Sequence, residues 1–155
     1  MVDDTDKYLR DLASGHPAIR DKATHELWGL WHKQAGQRAE ERLMDGVRLI
    51  ETRSLDKAEK LFLNLVADYP DFPEGHNKLA TVFYLNGKFI DSIKECRSSL
   101  TLNPNHFGAW NGLGMCLYNL GKYNEAIESF QKALQIQPHS TGNRQLIARC
   151  RGKLN

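Results

Sequence analysis

The sequence is short of most things a catalytic or membrane protein needs. It has three cysteines, Cys96, Cys116 and Cys150. An odd number without C-x-x-C spacing excludes a disulfide framework or a zinc site of the usual kind, and reduced, cytosol-like surroundings fit best. No apolar run approaches the roughly 20 residues that span a bilayer. Charge is nearly balanced, +2 over 155 residues, so no overall field points to nucleic acid or a membrane surface. No segment alternates with the two-residue period of a strand. No nucleophile and base stand at a spacing that suggests a catalytic pair. The opening stretch M-V-D-D-T-D-K-Y is acidic and lacks an apolar region, so neither a secretory signal nor a transit peptide is expected there. A transit peptide already removed would leave no trace, so the plastid stroma stands as the alternative to the cytoplasm. The length suits one domain, and 41% hydrophobic residues are enough for a core.

What the chain does have is a repeat. From Phe107 to Pro138 it carries W-x-x-L-G-x-x-L on Trp110, Leu113, Gly114 and Leu117, then A-x-x-x-F-x-x-A on Ala126, Phe130 and Ala133, and a closing Pro138. Steps of 34 residues back from Phe107 land on Pro73 and Ala39. The eighth position then holds Gly46, Ala80 and Gly114. The twentieth holds Ala58, Ser92 and Ala126, the twenty-fourth Phe62, Cys96 and Phe130, and the thirty-second Pro70, Pro104 and Pro138. Small residues let two antiparallel helices approach, a bulky one at the twenty-fourth position fills the layer toward the next repeat, and proline stops the second helix. Asn86-Gly87 and Gly121 suit turns that need positive φ. First helices are predicted near 39–52, 73–85 and 107–119, and second helices near 55–68, 89–102 and 123–136.

The flanks are read from the same frame. A further step reaches Thr141, and Thr141–Lys153 is predicted as a capping helix, with Ile147 and Ala148 at the seventh and eighth positions and Arg144, Arg149, Arg151 and Lys153 keeping its outer face wet. Residues 1–38 are less regular. Asp4–Ala13 and Pro17–Gln34 are predicted helices, forming a cap or a degenerate repeat. Trp28 and Trp31 are expected to pack on the first helix of repeat one, around Leu43, Val47 and Ile50; an exposed aromatic docking patch is the alternative.

The motif closely resembles the tetratricopeptide repeat (TPR). The runs L-W-G-L-W-H, Y-P-D-F-P-E-G-H-N-K-L-A-T and N-P-N-H-F-G-A-W-N-G-L-G-M-C further resemble small TPR proteins of bacteria, cyanobacteria and plastids without assigned activity. The resemblance implies an all-α, right-handed superhelix of antiparallel helix pairs, divided as 1–38, 39–72, 73–106, 107–140 and 141–155. It also implies a non-catalytic scaffold, an assembly or chaperone-like adaptor, that binds a protein or peptide in the concave groove of its first helices. Transferred by position, the groove comprises Leu43, Val47, Asn77, Lys78, Thr81, Tyr84, Gly108, Asn111, Gly112, Met115 and Tyr118. One TPR subclass clamps a chaperone's C-terminal carboxylate with Lys, Asn, Asn, Lys and Arg. Leu43, Val47, Lys78, Gly108 and Gly112 stand in those places, so no such clamp is expected.

Asn77 and Asn111 repeat one position, as do Tyr84 and Tyr118. Amides can pair with a peptide backbone and tyrosines suit an interface. Gly108 and Gly112 each cost helix stability. They are read either as opening a shallow pocket or as tolerated, for instance beneath the N-terminal segment. With Gly114 they superficially resemble a nucleotide loop, but no strand precedes them and no Gly-Lys-Ser/Thr follows. His25 and His32 share a helical face without further metal ligands. No cofactor, metal, catalytic residue, nucleic acid or membrane insertion is expected. A homodimer through the tryptophan segment or the C-terminal cap is the alternative partnership.

Overall fold

A computed structural model describes residues 4–155. The described residues form helices and connecting turns: α1 (Thr5–Asp11), α2 (Pro17–Lys33), α3 (Gln37–Glu51), α4 (Leu55–Asp68), α5 (Pro73–Leu85), α6 (Phe89–Leu102), α7 (Phe107–Asn119), α8 (Tyr123–Ile136) and α9 (Thr141–Leu154). Helices α4 to α8 run over the spans the 34-residue register predicts, and α3 starts two residues earlier. The pairs α3–α4, α5–α6 and α7–α8 stack in order, with α9 against α8.

The pairs of repeats one and three close on a matched small and large residue. A Cβ on Gly114 would lie 2.5 Å from Phe130 Cε1, and one on Gly46 would overlap the Phe62 ring. Repeat two departs from this. Cys96 stands where the others have phenylalanine, Ala80 where they have glycine, and Ser92, whose Oγ donates to the Ala80 carbonyl at 2.7 Å, where they have alanine.

The turns inside the repeats share one backbone solution. Gly87 and Gly121 take φ +74°, and Arg53 holds the same place in repeat one at φ +61°. The following amide reaches back to the helix in each case: Ser54 N–H to Leu49 O at 2.8 Å, Lys88 N–H to Phe83 O at 2.8 Å and Lys122 N–H to Leu117 O at 2.9 Å. Glycine adopts this left-handed turn without a steric cost; arginine does not.

The N-terminal hairpin does not extend the stack. After α2 the chain turns at Gly36, φ +91°. Folded back, α2 lies across the first helices, touching α3, α5 and the start of α7. Leu12, Ala23, Leu27 and Trp31 form a core of their own with Phe107, flanked by Tyr8, Leu9, Trp28 and Ile136. His139 Nε2 donates to the Ala13 carbonyl at 3.3 Å. The tryptophans are therefore packed, but against repeat three rather than around Leu43, Val47 and Ile50. The apolar stripe of α2 meets Phe107, an aromatic partner that the first helix of repeat one does not offer.

Candidate concave-face site

Under α2 lies a buried polar cluster. Glu74, in the first turn of α5, and His106, the residue before α7, are both fully buried. His106 Nδ1 accepts the Ala109 backbone N–H at 3.0 Å, capping α7. That leaves the ring proton on Nε2, which donates to Glu74 Oε2 at 2.7 Å. Asn77 Nδ2 donates to Oε1 at 3.1 Å, Lys78 Nζ lies 3.5 Å from the same oxygen, and His32 Nε2 of α2 lies 4.0 Å away. Burial pushes the Glu74 carboxyl up, but the His106 hydrogen bond, Lys78 and Asn77 together outweigh it and hold the carboxyl below its ordinary range. His32 moves the other way in balance. Burial lowers it more than Glu74 raises it, so the imidazole sits below its usual value.

Aromatic rings seal this cluster. The Trp31 ring stacks on His106 with centroids 4.6 Å apart and planes 22° apart. Trp28 meets His106 edge-on at 5.3 Å and Phe107 at 5.4 Å. Lys78 Nζ stands 5.4 Å from the Trp28 ring centroid. Burying side chains such as Leu27 and Trp31 contributes about 1.5–3 kcal/mol each, and each aromatic pair about 0.5–1.5 kcal/mol more. Such a seat makes α2 a constituent of the concave face.

These contacts correct two sequence expectations. Leu43 is fully buried in the core with Phe62, Leu65, Phe72 and Leu79, so it offers no surface to a ligand. Its fifth position turns inward in repeat two as well, where Asn77 is buried against Glu74. Gly108 lines the pocket only beneath an indole: a Cβ there would lie 2.7 Å from Trp28 Cη2. The glycine is the price of seating the indole.

The open part of the face is a pocket of about 270 Å³ between α5 and α7. Lys78, Thr81 and Tyr84 border it on one side, Gly112 and Met115 on the other, and Trp28 at one end. Ala80, Ser92 and Cys96 form the floor. A Cβ on Gly112 would sit 3.3 Å from Cys96 Sγ. Burial drives the Cys96 pKa up to about 12, so the floor is a neutral thiol. Val47 is half-buried on α3, outside this pocket. Asn111 lies beyond the lining, half-buried, with an Oδ1 that has no hydrogen-bond partner among the described residues. Tyr118 packs on Tyr123 at 5.4 Å, and the Tyr84 hydroxyl accepts from Asn119 Nδ2 at 3.3 Å. Seven lining residues were thus expected from the sequence, Asn77, Lys78, Thr81, Tyr84, Gly108, Gly112 and Met115; His106 and His32 beside the pocket, and Trp28, Ala80, Ser92 and Cys96 in its lining, were not. A signal existed for the last two, the departures of repeat two at its twentieth and twenty-fourth positions. Among the described residues no group of three or more His, Cys, Asp or Glu is placed to hold a metal, and no helix is long and apolar enough to cross a membrane.

Comparison with known proteins places the geometry. Two family models, both described as tetratricopeptide repeat, match residues 43–106 and 108–140, together more than half of the chain. A peroxisomal targeting signal receptor from Kluyveromyces lactis is 41% identical over 66 residues, covering 43% of this chain and 12% of that protein. A TPR repeat-containing protein from Rhizobium etli is 30% identical over 73 residues, covering 47% and 36% respectively. The chain thus spans well under half the length of these curated relatives. Among solved structures, the first TPR of Spaghetti (RPAP3) bound to HSP90 peptide SRMEEVD aligns with TM-score 0.73 at 18% identity, covering 75% of this chain and 92% of that one. The Sgt2 TPR domain from Aspergillus fumigatus aligns with TM-score 0.71 at 16% identity, covering 76% and 79%. At such identities the likeness is one of fold. With its repeats matched in sequence and stacked in the structure, the chain belongs to the tetratricopeptide repeat family.

Proposed function

We propose that this chain is a non-catalytic protein-interaction module that holds a peptide or short helical segment of a partner on its concave face, as an assembly or chaperone-like adaptor. The observation that carries this is the open pocket between α5 and α7, lined by Lys78, Thr81, Tyr84, Gly112 and Met115 and walled at one end by Trp28 of α2. Support comes from the solved relative whose TPR is bound to HSP90 peptide SRMEEVD and from the TPR2B domain of yeast Sti1 in its complex with pHsp70. The mode of holding differs from a five-residue carboxylate clamp. Leu43 is buried in the core, Gly108 lies under Trp28, and Lys78 is the one basic residue among the five positions.

The test is selection of random phage-displayed peptides on the purified chain, followed by calorimetry with the selected sequences. Wild type is expected to bind them in the micromolar range, about −8 kcal/mol. Thr81→Arg/Met115→Arg, which places two cations in the pocket mouth, is expected to weaken binding at least tenfold. Failure to select any peptide, or undiminished binding by the double variant, overturns the reading.

A further inference from the structure

The pocket has a specific origin in the repeat register. In repeats one and three the twenty-fourth residue is phenylalanine, Phe62 and Phe130, each fully buried against a glycine of the paired helix. In repeat two the same register holds Cys96 against Ala80, with Ser92 beside them. A thiol and a methyl fill less space than a phenyl ring. The deficit is not closed from the next repeat either, because the residue above Cys96 is Gly112, with no side chain. The result is a hole that opens between two first helices onto the concave face and reaches down to α6.

The chemistry of the hole is that of a missing apolar side chain. Its walls are Trp28, Ala80, Thr81, Tyr84, Cys96 and Met115, with Lys78 at the rim. The Lys78 ammonium is already engaged by Glu74 at 3.5 Å and by the Trp28 ring. Ser92 Oγ donates to Ala80 O and accepts from the Cys116 thiol at 3.1 Å, so it presents no idle donor. At about 270 Å³ the hole is smaller than the 300–1,000 Å³ of typical small-molecule sites. It suits one side chain better than a cofactor.

On the reading that the concave face binds a peptide, we infer that this hole receives one large apolar side chain of the bound segment, leucine or phenylalanine in size. The partner supplies the phenyl-like filling that repeat two lacks. Trp28, which lies outside the repeats, is the end wall of the hole and a ligand-contacting residue. The α1–α2 hairpin therefore stays docked when a partner binds.

The experiment uses the full ¹⁵N-labelled chain and chemical-shift titration with N-acetyl-L-phenylalaninamide and N-acetyl-L-leucinamide, with N-acetyl-L-lysinamide as control. The two apolar probes are expected to shift the Trp28 indole N–H and the Gly112 and Cys96 amides; the lysine probe is not. Ala80→Gly/Cys96→Phe rebuilds the register of repeats one and three and fills the hole with the chain's own ring. It is expected to weaken the apolar probes at least tenfold. Gly112→Ala, whose new methyl points at Cys96 Sγ, provides a second filling with little risk to the fold, and its effect is expected in the same direction. Unchanged affinity in both filled variants, or equal shifts from the lysine probe, overturns the inference. So does tighter binding in Trp28→Ala, which would make α2 a competitor for the site rather than its wall. Peptides from phage selection separate the two levels. If they bind both filled variants as tightly as wild type, the anchor hole is wrong and the peptide-binding face stands. If none is selected, the face itself is wrong.

Discussion

Replacing Trp31 by alanine tests whether α2 is bound as firmly as its contacts imply. The side chain is 5% exposed, stacked on His106 and tilted against Phe107 with ring centroids 5.1 Å apart. Truncating a buried tryptophan costs about 3–5 kcal/mol when the cavity stays open. Here the loss also uncovers the Glu74–His106 hydrogen bond. Water admitted to that pair can solvate both groups, so the polar cost is partly repaid. The two effects together give an expected loss of about 3 kcal/mol. Urea unfolding followed by far-ultraviolet circular dichroism measures it. With a slope of about 1–3 kcal/mol/M, the midpoint falls by at least 1 M. His25→Ala, on the exposed side of the same helix, is the control and is expected to stay within about 0.5 kcal/mol. A Trp31→Ala loss below about 1 kcal/mol would refute the reasoning: α2 would then rest on the repeats without being held by them.

Arg53→Gly relieves the left-handed turn of repeat one. The strain of about 1–2 kcal/mol exceeds the entropy cost of glycine, about 0.5–1 kcal/mol, so urea unfolding is expected to show a net gain of about 0.5–1 kcal/mol. Gly114→Ala drives a methyl into the buried Phe130 ring, and overpacking of about 1–3 kcal/mol less a helix gain of about 1 kcal/mol leaves a destabilisation near 1 kcal/mol. The pH dependence has two opposing histidines. His32 is lowered on folding, so its contribution is present above pH 6.5 and is lost as pH falls. His76 is raised, chiefly by its hydrogen bond with Glu95 at 2.7 Å, so its contribution is full below pH 6.5 and is lost as pH rises through its folded value. Between pH 7.5 and 5.5, His32→Gln is therefore expected to lose less stability than wild type and His76→Gln to lose more. Below pH 4.5 the lowered Glu74 adds a further acid-side loss. Identical urea midpoints across these variants at both pH values would contradict the assignment.

The repeats were legible because each rests on a local rule that recurs. Gly114 must be small because Phe130 is large, and the same pair returns as Gly46 and Phe62. Gly87 and Gly121 mark the same left-handed turn. Spacing alone then carries every helix from α4 to α8. Leu43 shows where transfer by position stops. The fifth residue of a first helix sits on the line between groove and core, and its neighbours decide the side as much as its own chemistry, since Asn77 is buried against Glu74. Leucine goes to the core with Leu79, whereas Asn111 remains half-buried at the same position.

The site was less legible because its parts do not recur from repeat to repeat. Glu74, His106 and His32 are separated by 32 and 42 residues along the chain, and their combination does not recur, although Glu40 stands at the place of Glu74 in repeat one. Phe72 and Ser140 occupy the places equivalent to His106, and Gly108 the place equivalent to Glu74. The stacking of α5 and α7 brings Glu74 to His106, and the fold-back of α2 at Gly36 adds His32, Trp28 and Trp31 over them, a tertiary event that no local signal marks. The glycines register that event from the other side. Gly108 is small because an indole from a distant helix rests on it. Gly112, one turn on, has only a thiol beneath it. Two glycines that look alike in sequence are thus opposite in meaning. One is filled by the protein itself, and the other leaves the space where a partner's side chain is inferred to enter.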